Sequence, residues 1–269
     1  MIDSDRFGDR RRLVLGVGLA LLVALSGCNA STGPGGTNDT GQTLQERTLA
    51  AMNDVSTVQY RMHMNVSGSG TPIEMTATGR LNRTAERLAQ RVRVDLLGRS
   101  VEQAQYVDGQ TMYMQLGDQW MAQNVTEGDV WNSTPVTQQR QLLAGSNVTI
   151  EGNATVNGTA VTVFRISPDP ANLTQVLQDS QYSSDQYGGV DGDVGYRNVT
   201  YLLYVSQDTA RLRKVAMNGT VTQRGTTSRV SMTMAFWGFD EPTEITVPEA
   251  ARDASDMSGL FSGAVNGSA

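Results

Sequence analysis

The chain has 269 residues, 39% of them hydrophobic and 6% aromatic, with a formal net charge of −6. One cysteine excludes an intramolecular disulfide framework, and one histidine excludes most zinc sites and histidine-dependent triads. The acidic balance argues against a general nucleic-acid binder, and the length allows one substantial domain or two small ones.

Residues 1–27 have the layout of an export signal. Arg10-Arg11-Arg12 leads directly into the apolar run Leu13–Leu25. That run is too short and too interrupted by glycine for a span of about 20 residues. The arginines followed by Leu13-Val14-Leu15 resemble a twin-arginine signal. Leu25-Ser26-Gly27-Cys28 then resembles a lipobox, which makes Cys28 the expected lipid attachment point and first mature residue. A plain secretory signal with an incidental cysteine is the competing reading. The lipobox is preferred because the single cysteine falls where that motif requires one. The expected location is the outer face of the cytoplasmic membrane, with the lipid on Cys28 as anchor. Cleavage leaves 24 acidic and 17 basic residues, net −7. Residues 28–41, rich in Gly, Ser, Thr and Asn, read as a flexible tether.

Thirteen of the 14 asparagines sit in N-x-[S/T] sequons. They are Asn29, Asn38, Asn65, Asn82, Asn124, Asn132, Asn147, Asn153, Asn157, Asn172, Asn198, Asn218 and Asn266. This excess points to N-glycosylation of an exported protein. Asn-x-Thr that merely suits strand ends and turns is the simpler alternative. Arginine supplies 20 of the 21 basic residues, Lys214 being the exception, and with the acidic balance this resembles proteins of salt-loving archaea.

A helix is expected over 42–54, from the stripe Leu44, Leu49 and Met52 and the capping pair Thr43 and Glu46. The period then falls to two. Val58, Tyr60, Met62, Met64 and Val66 alternate with Gln59, Arg61, His63 and Asn65. Ile73, Met75, Ala77 and Leu81 repeat the pattern, and so do Leu88, Val92, Val94 and Leu96. Shorter strands are expected near 100–107, 110–116 and 119–123, turning at Asp108-Gly109 and Gly117-Asp118. Thr134-Pro135 opens a helix over 135–143. Strands at 147–156 and 159–167 meet at Asn157-Gly158, and Asp169-Pro170 opens a helix over about 169–179. A polar loop, 180–196, leads to strands near 197–206, 211–222 and 227–238.

Eleven antiparallel strands, each with one apolar face, should curl around that face. The expected class is α+β, mainly antiparallel β: an eleven-stranded curled sheet, or half-open barrel, with three helices on the concave side. The domain should cover 42–250, followed by a flexible tail at 251–269. A closed barrel and a two-sheet sandwich satisfy the same alternation.

The signal peptide, the Leu-x-x-x-x-Leu-x-x-Met first helix and the strand–helix order resemble the LolA-like lipoprotein carriers. The mycobacterial lipid-binding lipoproteins share that superfamily. Met234-Ala235-Phe236-Trp237-Gly238-Phe239-Asp240-Glu241-Pro242 with Ile245-Thr246-Val247-Pro248 resembles the family's last strand and exit. The resemblance spans about 42–250 and rests on layout more than on motif. It implies a lipid or acyl chain bound in the concave cavity, and no catalytic residues.

The inward parity is rich in methionine, a polarisable side chain that remoulds around ligands of varied shape. The candidate ligand-binding residues are Met62, Met64, Met75, Val92, Val94, Met112, Met114, Met232, Met234 and Phe236. Ordinary core packing is the competing reading for each. His63 reads as solvated. Asp191-Gly-Asp193 lacks the further ligands of a calcium loop, so neither metal nor cofactor is expected. The leading expectation is a monomeric, non-enzymatic lipoprotein holding an apolar ligand. A partner-binding sensor or envelope scaffold on the same fold is the alternative, and an enzyme acting on polysaccharide or lipid stands last.

Overall fold

In the computed structural model the described residues are 36–68, 72–125, 127–168, 173, 175–176, 194–223 and 225–254. The signal, Cys28, the 180–193 part of the polar loop with Asp191 and Asp193, Asn172 and the tail from 255 lie outside them. In chain order come α1 (Gly36–Asn53), β1 (Thr57–Gly68), β2 (Ile73–Asn82), β3 (Arg87–Leu96), β4 (Arg99–Asp108), β5 (Thr111–Leu116) and β6 (Gln119–Asn124). Helices α2 (Glu127–Asn132) and α3 (Pro135–Ala144), then β7 (Ser146–Val156) and β8 (Thr159–Pro168), follow. After helical, buried Leu173 and Val176 come β9 (Val194–Ser206), β10 (Leu212–Gln223), β11 (Thr226–Trp237) and α4 (Glu249–Arg252).

All eleven expected strands are present. Helix α1 starts at Gly36 rather than 42, because the apolar stripe that reveals it begins only at Leu44. Helix α2 was not expected, because six residues are too few to display a 3.6-residue period, and α4 matches the weak helix that the sequence after Pro248 allows as an alternative to a frayed tail. The Thr134 hydroxyl caps α3 by accepting the Thr137 N–H at 3.3 Å, with Pro135 beside it. Asn157 and Gly158 both hold positive φ, 48° and 79°, as a two-residue hairpin turn demands.

The sheet order is β6-β5-β4-β3-β2-β1-β11-β10-β9-β8-β7, antiparallel at every described pairing. Two sequential meanders are joined by one non-sequential pairing, β1 with β11, from Gln59↔Trp237 to Gly68↔Ser228. Strands β6 and β7 are the two edges, so the sheet is curled and open. One face is buried: Val58, Tyr60 and Met62 of β1, Ala77 and Leu81 of β2, Phe164 of β8, and Met232, Met234 and Phe236 of β11. Met52 of α1, Leu142 and Leu143 of α3, Leu173 and Val176 belong to the same core, which puts the helices on the concave side. Burying each such side chain is worth about 1.5–3 kcal/mol, so this face dominates stability.

The segment after β11 seals one end of the sheet. Ile245, Val247 and Ala251 are buried, and α4 packs against β5 and β6. Asp240 fastens that segment to the start of β1. Its carboxylate accepts from the Ser56 N–H at 2.9 Å and hydroxyl at 2.8 Å and pairs with Arg211, while its own N–H donates to the Thr57 carbonyl at 3.0 Å. Burial alone would raise this carboxyl, but the two Ser56 bonds and Arg211 outweigh it and hold it below the usual carboxylate range. A depressed acid stabilises the fold above its ordinary pKa and stops doing so as pH falls through its lowered value. Asp240→Asn should therefore lower stability by about 1 kcal/mol at neutral pH, a third-exposed carboxyl being partly screened. The gap from the native chain should close in strong acid. Urea melts across pH check this, and a gap unchanged in acid would assign the effect to shape rather than charge.

Candidate functional site

The inward side chains line up in rows across the strands. The register places Met217, Met232, Met64, Met75, Val94 and Val101 in one row across β10, β11, β1, β2, β3 and β4. The adjacent row runs Val215, Met234, Met62, Ala77, Val92 and Gln103. Sequence patterning thus brought Met62, Met64, Met75, Val92, Val94, Met232 and Met234 together correctly on one face, and it missed Met217. Strand β10 reads Leu212, Val215, Met217 inward only after a register shift between Leu212 and Lys214, which breaks strict alternation.

Burial divides these residues. Met62, Met75, Val92, Met232, Met234 and Phe236 are packed in the core, whereas Met64, Val94, Met112 and Met114 are half-buried. Beyond the methionine row the inner face opens. Val66, Ile73 and Leu96 align as the next row, and Leu96, Leu97 and Val101 are 41%, 76% and 51% exposed. Leu97 also holds φ 54° beside Gly98 at 72°, in the β3–β4 turn. An αL conformation is costly for a leucine, about 1–3 kcal/mol, where Asn or Gly would be relaxed. The mouth of the sheet is therefore apolar, solvent-facing and strained.

The closed end carries a polar seam that sequence patterning does not reveal. Gly79 lets the Tyr60 ring lie across β2, because any side chain at position 79 would overlap that ring. The Tyr60 hydroxyl donates to Gln90 Oε1, and Gln90 Nε2 donates to Gln105 Oε1 at 3.5 Å. Gln105 and Gln123 in turn present their amides to Met112 Sδ at 3.1 and 3.5 Å, and Gln103 faces Met114 Sδ at 3.7 Å. Met112 and Met114 are thus soft acceptors for the buried amide of Gln105 and the half-buried amides of Gln103 and Gln123, as well as apolar wall. Across the core, the Tyr201 hydroxyl donates to Gln139 Oε1 of α3 at 2.5 Å, and burial pushes that phenol well above its ordinary pKa despite the bond. The available signal was the interruption of the apolar parity at Gln90, between Leu88 and Val92.

His63 is half-exposed on the outer face, 3.7 Å from Glu74. Among the described residues no group of three His, Cys, Asp or Glu could hold a metal ion. Of the sequon asparagines, Asn124, Asn132, Asn147, Asn153, Asn157, Asn198 and Asn218 are exposed, and Asn65 is half-buried. Asn82 uses its amide to donate to the Thr243 carbonyl at 3.1 Å.

Compared with solved structures, the chain is 15% identical to LprF from Mycobacterium bovis over 78% of this chain and 97% of that one, with a TM-score of 0.51. The chain has the fold of LprF. The lipoprotein LppX of Mycobacterium tuberculosis aligns over 78% of this chain and all of its own, at 15% identity and a TM-score of 0.49. A LolA superfamily protein from Nitrosomonas europaea aligns at 8% identity over 78% of this chain and 95% of that one, TM-score 0.28. No family model and no curated protein matches the sequence. The curled, open, eleven-stranded sheet expected from the alternation of the strands is the one observed.

The Tyr201–Gln139 bond offers a check on how α3 is held against the sheet. Gln139→Leu should destabilise by about 1–3 kcal/mol, because a buried hydroxyl loses its acceptor. Tyr201→Phe in the same chain should recover most of that loss. Urea titration of the four chains of this cycle tests the seam, and additive losses would show that the bond is not what couples them.

Proposed function

We propose that the protein is a lipid-anchored, extracytoplasmic, non-enzymatic lipoprotein that holds an apolar ligand, a lipid or acyl chain, at the open end of its concave face. The observation that carries this reading is the solvent-facing apolar mouth formed by Met64, Val66, Ile73, Val94, Leu96, Leu97 and Val101. Three of these side chains, Leu96, Leu97 and Val101, are exposed together, as at an interaction site, and burying an alkyl chain on them is worth about 0.8 kcal/mol per CH₂. The open, curled fold shared with LprF supports the same reading. The packed methionines, Met62, Met75, Met232 and Met234, then form the floor behind the ligand, and Met64 and Val94 touch it.

In this reading, Cys28 carries the anchor, and the 28–35 stretch with its preceding signal delivers the domain to the outer membrane face. A single acyl chain binds membranes only marginally, so the attachment is of diacyl or diether type. The exposed sequons, from Asn124 to Asn218, are the sites available for glycans. At Asn82 a glycan would have to displace the amide's bond to the Thr243 carbonyl.

Native mass spectrometry of the mature protein from its own host, followed by organic extraction, tests the binding. A stoichiometric lipid mass is expected. A clean apo mass with no uptake of added lipid would favour the alternative, a partner-binding scaffold. Separately, Cys28→Ser should release the chain into the medium or leave it unprocessed. Continued membrane anchoring of that variant would sink the lipobox reading.

A further inference from the structure

The outer face of the sheet carries a second depression, which the inner ligand leaves unused. Register sets Arg61 of β1, Thr78 of β2 and Arg91 of β3 side by side in one outward row. Arg80 stands in the next row, flanked by Gln59 and Ala89. Neighbouring strands lie about 4.8 Å apart, so Arg61 and Arg91 straddle Thr78 at roughly twice that spacing. Their side chains are long enough to close on one anion above the Thr78 hydroxyl, with Arg80 approaching from the side.

The depression has a cavity of about 320 Å³, at the small end of ligand sites, which run roughly 300–1,000 Å³. Its floor is low because Ala89 and Ala104 supply only methyl groups there. Its walls are aromatic: Tyr106, whose ring lies 5.9 Å from that of Trp120, and Trp237, which is 38% exposed. Trp237 also borders a second cavity of about 420 Å³ where Arg211 and Arg213 stand over Phe239, at 5.3 and 5.8 Å. The two cavities meet at that tryptophan, but the second is also lined by Asp208 and Glu241 and its Arg211 pairs with Asp240, so the anion site is confined to the first.

On β3, Arg87 is taken up by Asp108, and Arg93 by Asp95 and Glu102. Among the described residues, Arg61, Arg80 and Arg91 enter no ion pair, although the chain holds more acids than bases. Several other described arginines, Arg47, Arg99, Arg197 and Arg229 among them, also enter none, and what marks this patch is that three such arginines line one depression. The sequons also leave the patch clear: Asn65 is four positions along β1 from Arg61, and the Asn82 amide bonds the Thr243 carbonyl.

We propose that this outer groove binds an acidic glycan. Arg61, Arg80 and Arg91 with Thr78 receive a carboxylate or sulfate, and Trp237 and Tyr106 pack on the apolar face of the sugar rings. Guanidinium forks match planar oxyanions, and their hydrogen bonds are the charge-assisted kind that survive partial exposure. A single-stranded nucleic acid presents phosphates to the same guanidinium groups, and the DNA arm of the titration below separates it from the glycan.

The test is calorimetric titration of the detergent-extracted mature protein, with tryptophan fluorescence as a second readout. The probes are chondroitin sulfate tetrasaccharide, neutral chitotetraose, inorganic sulfate and a single-stranded DNA oligomer. The acidic tetrasaccharide is expected to bind, more weakly as salt rises, and to perturb Trp237 emission. The Arg61→Gln/Arg91→Gln double variant and Trp237→Ala should each weaken it at least tenfold. Both change exposed side chains, and circular dichroism melts confirm that they fold. No binding of the tetrasaccharide, equal binding of chitotetraose, unchanged affinity in the variants, inorganic sulfate as the only ligand, or preferential binding of the DNA would each overturn the proposal.

Discussion

The pairing of β1 with β11 is the contact on which everything else depends. It joins the six-stranded N-terminal meander to the five-stranded C-terminal one, through strands separated by most of the chain. Without it each meander would expose a new edge and half of an apolar face. With it, the methionines of β1 and β11 meet directly, Met62 on Met234 and Met64 on Met232. The Asp240 clasp and the buried exit at Ile245 and Val247 reinforce the same junction from outside the ladder. Such a late, long-range contact forms slowly, and it must be complete before the concave face exists at all.

That face does two jobs along its length. At the closed end α1, α3 and the helical residues Leu173 and Val176 fill it, and glutamines from β3, β4 and α3 satisfy the hydroxyls of Tyr60 and Tyr201. A satisfied polar network of this kind fixes one arrangement of helices on an otherwise featureless greasy surface. At the open end no described helix covers Val94, Leu96 and Val101, and the β3–β4 turn holds a leucine in a conformation it disfavours. The positive φ of Leu97 follows from the two-residue β3–β4 turn, which demands it at both positions. The exposed apolar side chains beside that turn are the part of the face that the proposed function uses.

Much of this was legible before the fold. Strict alternation in β1, β2 and β3 named the inner face residue by residue, because one buried face forces a period of two. Asn157-Gly158 and Thr134-Pro135 were read correctly because each carries local chemistry that needs no tertiary context. The misses have physical causes as well. Helix α2 is too short to show a period, and Met217 follows a bulge that shifts its parity. The glutamine seam was invisible because an inward Gln looks like a surface residue until Tyr60 supplies its partner across Gly79. Which methionines face a ligand and which are floor could not be read from alternation. That division depends on where helices stop along the sheet.

The most direct test of the central claim, that the open end of the concave face holds an apolar ligand, is photolabelling with a diazirine-bearing fatty acid, mapped by peptide mass spectrometry. Label is expected on the peptides holding Met64 to Val66 and Val94 to Val101, competed away by unlabelled lipid. Label confined to the outer face, or scattered without competition, would contradict it.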